Sequence, residues 1–199
     1  MNKKIILASA SPRRREILKN LGLCFRIVKS DLDEKIRSDE KPQHIVMALA
    51  FEKALDVAGS VENNTIIIAA DTIVYKDTVL GKPKSFNNAF NMLNLLQDDV
   101  HYVYTGLAVI EKGTDRKYVT YEKTMVKIKK LSETKIKKYI ETGEVWDKAG
   151  AYGIQGFGGT IVQWIKGDYF SVVGLPVSKL DNILLNYFNI DIFDIDKNK

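Results

Sequence analysis

Thr65-Ile66-Ile67-Ile68-Ala69-Ala70-Asp71-Thr72 is the stretch on which the fold turns. Six residues without a charge, rich in β-branched side chains, suit a strand covered on both faces. Asp71 then breaks the apolar run near what reads as the strand's carboxyl end. A carboxylate at such a place is costly to bury unless it is paired, hydrogen-bonded or bound to metal. Open α/β sheets also place their ligands at carboxyl ends of strands.

Further strands and helices alternate around this stretch. Lys4 to Ala8 reads as a second buried strand, and Phe25 to Val28 as a short third. Between them Ser11-Pro12 opens a helix, with serine as N-cap and proline at the first helical position, and Gly22 stops it. Ile45, Ala48, Leu49, Leu55 and Ala58 keep helical spacing within 41–59. After Asp71 the chain runs to Tyr75, turns at Lys76-Asp77 and returns through Val79-Leu80. Ser85 caps a helix to about Gln97, 100–111 and 117–129 form a long hairpin, and Ser132 caps a helix that Gly143 ends. Thr160 to Ile165 and Tyr169 to Val173 are expected to pair across Gly167-Asp168, before a last helix that ends near Phe188. Three hairpins among alternating elements predict a mixed α/β sheet with helices on its faces.

The chain has 199 residues, which suits one domain spanning 1–199, with a core of about 4–188 and a tail, 191–199, that frays. Its 45% hydrophobic and 28% charged residues argue against global disorder. A net charge of +5 permits an anionic partner without requiring nucleic acid, and no known nucleic-acid motif is present. One cysteine, Cys24, excludes an internal disulfide and a zinc cluster. No apolar run reaches the roughly 20 residues needed to span a bilayer. The first residues do not read as a signal peptide, so the expected location is the cytosol with no membrane partner.

Three segments carry chemistry. Ser9-Ala10-Ser11-Pro12-Arg13-Arg14-Arg15 places three arginines at the positive end of a helix, where cations are mildly disfavoured. Hydroxyls, guanidinium groups and open N–H groups together suit a phosphate; the same segment also reads as a solvated basic helix end. Asp71 is the second, with Gly81-Lys82-Pro83 on a loop that can return toward it and an acidic cluster, Asp31, Asp33 and Glu34, after the short strand. Carboxylates converging on a phosphate cradle suggest Mg²⁺ and a water nucleophile, against the plainer reading of a satisfied strand aspartate and a solvated acidic turn. The third is Asp147 to Gly159, in a region, 143–174, that holds eight of the 13 glycines. Its order is Gly-x-x-Gly-x-Gly, not the dinucleotide fingerprint. Gln155 offers both a donor and an acceptor, as a base edge requires.

Taken with Ala70-Asp71-Thr72, Tyr104-Thr105-Gly106 and Gly174-Leu175-Pro176, these segments resemble the Maf family of nucleoside triphosphate pyrophosphatases from Ile5 to about Phe188. The resemblance implies an ITPase-like mixed α/β fold with two lobes around a cleft. It implies hydrolysis between the α- and β-phosphates of a nucleoside triphosphate with a divalent cation, Mg²⁺ before Mn²⁺. It carries the catalytic role onto Asp71, with Lys82 and Glu34, and the cation onto Asp71 and Glu34. Ser9, Arg13, Arg14 and Lys53 become substrate contacts. Arg13, Thr72 and Gln155 match the dTTP/UTP subgroup, a house-cleaning activity on nucleotide pools, rather than the sister group that takes N7-methylated GTP. Whether Asp71 is a base or a ligand stays open, as does the oligomeric state, a homodimer included. A purine-directed ITPase-like sanitiser and a non-catalytic regulator of septum formation are the alternatives. Two departures stand out: Val145-Trp146 follows Glu144 where the family has Glu-Pro, and the turn at Lys76-Asp77 is short and lacks a glycine.

Overall fold

The computed structural model describes residues 3–32 and 40–194. In chain order the elements are β1 (Lys4–Leu7), α1 (Pro12–Asn20), β2 (Arg26–Ile27), α2 (Pro42–Ala58), β3 (Thr65–Lys76), β4 (Thr78–Leu80), α3 (Phe86–Leu96), β5 (Val100–Glu111), β6 (Lys117–Ile128), α4 (Glu133–Glu141), β7 (Val162–Lys166), α5 (Tyr169–Val173) and α6 (Val177–Phe188). The expected mixed sheet is present: seven strands in the order β2-β1-β3-β5-β6-β7, with β4 also on β3. β2, β1 and β3 run parallel, and the β3-β5-β6-β7 side is antiparallel.

Local chemistry explains three helix starts and one turn. Ser11, Ser85 and Ser132 each accept a backbone N–H from the first turn of the helix that follows. The tight turn after β3 works without glycine because Asp77 itself takes the left-handed conformation, at φ +58°.

The apolar alternation of β3 splits the core in two. Ile66, Ile68 and Ala70 face α1 and α6, in a cluster with Leu18, Leu180, Leu184 and Phe188. Ile67 and Ala69 face α2, packing with Ala50, Ala54 and Val57. A further cluster, with Leu93, Leu96, Ile136 and Ile140, joins α3 and α4 to the other end of the sheet. Val145, in the place of the family's proline, is fully buried there.

Two expectations need correction. Tyr169 to Val173 is a helix, not a strand, and β7 pairs with β6 instead. The aromatic and β-branched composition favours a strand, but Asp168 caps the segment by accepting the Ser171 N–H. Thr124 and Ser171 hydroxyls donate to the Asp168 carbonyl, at 3.1 and 2.9 Å. Those bonds turn the chain into a helix immediately after β7.

The second correction concerns Asp71, which lies in the middle of β3 rather than at its end. What ends is its neighbour. β1 pairs with β3 only as far as Ile68, and β4 covers the same edge only from Val74. On the opposite edge β5 pairs without interruption from Ile66 to Tyr75. Residues 69–73 therefore form a notch in one edge of the sheet, beyond the carboxyl end of β1.

Candidate active site

The notch opens into a cleft of about 780 Å³. Ser9, Arg13 and Arg14 enter it from the turn after β1 and the start of α1, Lys53 from α2, and Asp71 and Thr72 from β3. Lys82 comes from the loop after β4 and Gln155 from the glycine-rich segment. Thus eight of the residues expected from sequence meet in one cleft. Glu34, with Asp33, lies outside the described residues.

Period-two alternation sends Asp71 and Thr72 to opposite faces of β3. Asp71 points toward α2, where Lys53 Nζ sits 2.5 Å from its Oδ1. The two side chains keep only 9% and 12% exposure, so this ion pair is little screened by water. The close approach of α2 depends on Gly106, the residue paired with Asp71 across β5. A Cβ there would stand 2.0 Å from the Val46 carbonyl oxygen. Without it the helix backbone rests on the sheet, and Lys53, two turns further on, reaches the carboxylate.

Thr72 faces the other way. Its hydroxyl bonds the Thr105 hydroxyl at 2.9 Å and accepts from the Arg14 guanidinium at 3.1 Å. Arg14 also donates to the Gly174 carbonyl at 2.6 Å and to the Ser9 hydroxyl at 3.3 Å. Thr105 in turn donates to the Ser171 carbonyl at 2.7 Å. Arg14 is therefore fixed in place by three elements. Arg13 is anchored differently, by an ion pair with Asp147 at 2.6 Å. Lys148 also pairs with Asp147, at 2.8 Å. Burial works to raise the Asp147 pKa, yet the hydrogen bonds from Lys148 and Arg13 hold it below the ordinary carboxylate value. Lys82 is exposed and makes no salt bridge among the described residues.

The loops lining the cleft are tied to each other. Gly150 N–H donates to the Gly81 carbonyl at 3.0 Å, joining the glycine-rich segment to the Gly-Lys-Pro loop. The Tyr139 hydroxyl accepts the Gly153 N–H at 3.1 Å, and burial pushes its pKa up to about 12, so it stays protonated. Tyr152, which lines the cleft, bonds the buried His101. Asp147, Lys148, Ser30 and Thr105 received no role from the sequence. For the first two a signal existed, the Asp-Lys pair before the glycines. For Thr105 the signal was its place in Tyr104-Thr105-Gly106, and for Ser30, which lines the cleft, there was none beyond position.

Among the described residues no group of three or more His, Cys, Asp or Glu side chains converges on a common point. The cleft still offers Asp71 Oδ2, since Lys53 engages only Oδ1. Mg²⁺ is commonly held by one or two carboxylates plus substrate phosphates and water. One available Asp71 oxygen in a cleft also lined by Arg13, Arg14, Lys82, Lys84 and Lys148 fits that mode, and does not fit an all-protein cage.

A buried carboxylate held by lysine, in a cleft bordered by arginines and a further lysine, defines the class: an α/β enzyme acting on a phosphate-bearing substrate. The chain belongs to the Maf family, whose family model, Maf-like protein, matches residues 4–187. It is 53% identical to the dTTP/UTP pyrophosphatase of Caldanaerobacter subterraneus subsp. tengcongensis, over 94% of this chain and 90% of that one. It is 50% identical to the protein of that name from Clostridioides difficile, over 95% and 97%. Among solved structures, it is similar to the Staphylococcus aureus Ham1 protein, at 17% identity and a TM-score of 0.43, over 63% of this chain and 72% of that one.

Proposed function

We propose that this protein hydrolyses dTTP and UTP to the nucleoside monophosphate and pyrophosphate. The observation that carries the reading is the Lys53–Asp71 pair in the notch of the sheet, facing the cleft that Arg13, Arg14 and Lys82 line. The curated relatives of that name, about half identical over nearly their whole length, support it.

Each side chain has a task that follows from its position. Lys53 fixes the Asp71 carboxylate through Oδ1 and leaves Oδ2 toward the cleft. Oδ2 orients the attacking water and accepts its proton as the water oxygen bonds the α-phosphorus. The bond from that phosphorus to the bridging oxygen breaks, and pyrophosphate leaves with the electron pair. A divalent cation, Mg²⁺ before Mn²⁺, would be held by Glu34 and the substrate phosphates, with Asp71 reaching it only through the water that it orients, and would supply charge neutralisation on the phosphate oxygens. Arg13, Arg14 and Lys82 offset the triphosphate charge, and Ser9 adds a hydroxyl at the same end. Preorganised charge of this kind is the main source of rate in phosphoryl transfer. Thr72 and Gln155 read the base: the Gln155 amide can donate to O4 and accept from N3–H of uracil or thymine at once.

No helix among the described residues is long and apolar enough to cross a membrane. A nucleotide substrate and an exposed free cysteine, Cys24, both suit the cytosol.

The test is pyrophosphate release from all canonical and several modified triphosphates, with and without Mg²⁺. dTTP and UTP are expected to lead. A purine triphosphate as the best substrate, or no turnover of any triphosphate, would refute the proposal.

A further inference from the structure

Gln155 stands at the N-cap of a short 3₁₀ turn, Gly156–Thr160, yet its side chain makes no capping bond. The N–H groups of a turn's second and third residues need an acceptor, which an N-cap Ser, Thr, Asp or Asn commonly supplies from close by. Here a distant residue does so. The Glu144 carboxylate accepts the Phe157 N–H at 2.9 Å through Oε1 and the Gly158 N–H at 3.2 Å through Oε2. They are the second- and third-residue donors of the turn that begins directly after Gln155. Gly156 makes room: with φ +58°, a Cβ there would lie 2.2 Å from Glu144 Oε1. The same stretch of chain also reaches the phosphate end. Lys148 Nζ donates to the Glu144 carbonyl and pairs with Asp147, which holds Arg13.

We propose that Glu144 is a specificity-positioning residue. By holding the Phe157 and Gly158 N–H groups, it fixes the turn directly after Gln155 and with it where the Gln155 amide stands for the nucleobase. The inference rests on the pyrophosphatase reading and deepens it. It also accounts for a glutamate beside the glycine-rich segment, and for a glycine directly after Gln155. Glu144 does not line the cleft, so its loss acts through the loop.

The experiment compares wild type, Glu144→Gln and Glu144→Ala, each checked for retained fold by circular dichroism. KM and kcat are measured for dTTP and CTP, and inorganic tripolyphosphate, which has no base, is used as a competitive inhibitor. Glu144→Gln keeps one acceptor oxygen, whereas Glu144→Ala removes both. The preference for dTTP over CTP should fall in the order wild type, Gln, Ala, by about tenfold or more in Ala. The loss should sit in KM for dTTP, with the tripolyphosphate Ki unchanged. A merely structural role would scale kcat for both substrates alike and leave the preference intact. That result in a wild type that turns over dTTP would overturn the inference. A wild type that fails on dTTP would instead refute the underlying activity.

Discussion

Acidification is expected to destabilise the protein through His101. This side chain on β5 is completely buried, with Nε2 2.5 Å from the Tyr152 hydroxyl and the two rings edge to face. Its Nδ1 has no hydrogen-bond partner. Protonation would place a positive charge in the core and make both ring nitrogens donors, of which only Nε2 has a partner. Burial first, then the charge of Lys76, lower the His101 pKa from 6.5 to about 4, with Asp99 opposing weakly. The unfolded chain therefore binds this proton more readily than the folded one. Stability from His101 is complete above about pH 6.5 and is lost as pH falls toward 4. At about 1.4 kcal/mol per pH unit, the loss between pH 7 and pH 4.5 is roughly 2–3 kcal/mol. Urea denaturation at both values, on wild type and His101→Gln, isolates it, because the carboxylates titrate alike in both proteins. The wild type should lose that much more stability than the variant. Equal pH dependence in the two proteins would refute the reasoning.

Gly106→Ala should destabilise by about 1–3 kcal/mol or more, because the new Cβ meets the Val46 backbone. Thermal melting reads this, and the folded fraction should also lose turnover as α2 draws Lys53 from Asp71. Arg13→Ala and Arg14→Ala should each weaken dTTP by about 1.5–3 kcal/mol, and dTMP by less. Inhibition constants check this, and equal losses for the two nucleotides would mean that neither arginine reads the phosphate chain.

The legible parts of this fold were those set by local chemistry. Ser11, Ser85 and Ser132 mark helix starts wherever they stand, and the run Thr65–Ala70 reads as a buried strand without knowledge of its neighbours. The misread segment, Tyr169–Val173, was decided by Thr124, which is 44 residues before Asp168. No local pattern encodes that. The candidate site shows the same division. Asp71 drew attention as a charge in an apolar strand, but Lys53 read as ordinary helix surface. Only family resemblance brought it in, because its ion pair depends on how closely α2 lies on Gly106. Glu144 registered merely as the start of an altered dipeptide. Its two bonds to the glycine segment need the loop to fold back on itself first.

Asp71→Asn tests the central claim most directly. The change is nearly isosteric and keeps an oxygen for Lys53, while it removes the charge and the proton acceptor. The account predicts a folded protein, with a melting temperature lowered by the loss of the buried Lys53–Asp71 pair, and kcat for dTTP lowered by about 10²-fold or more. A folded Asp71→Asn protein that releases pyrophosphate from dTTP at near wild-type kcat would contradict it.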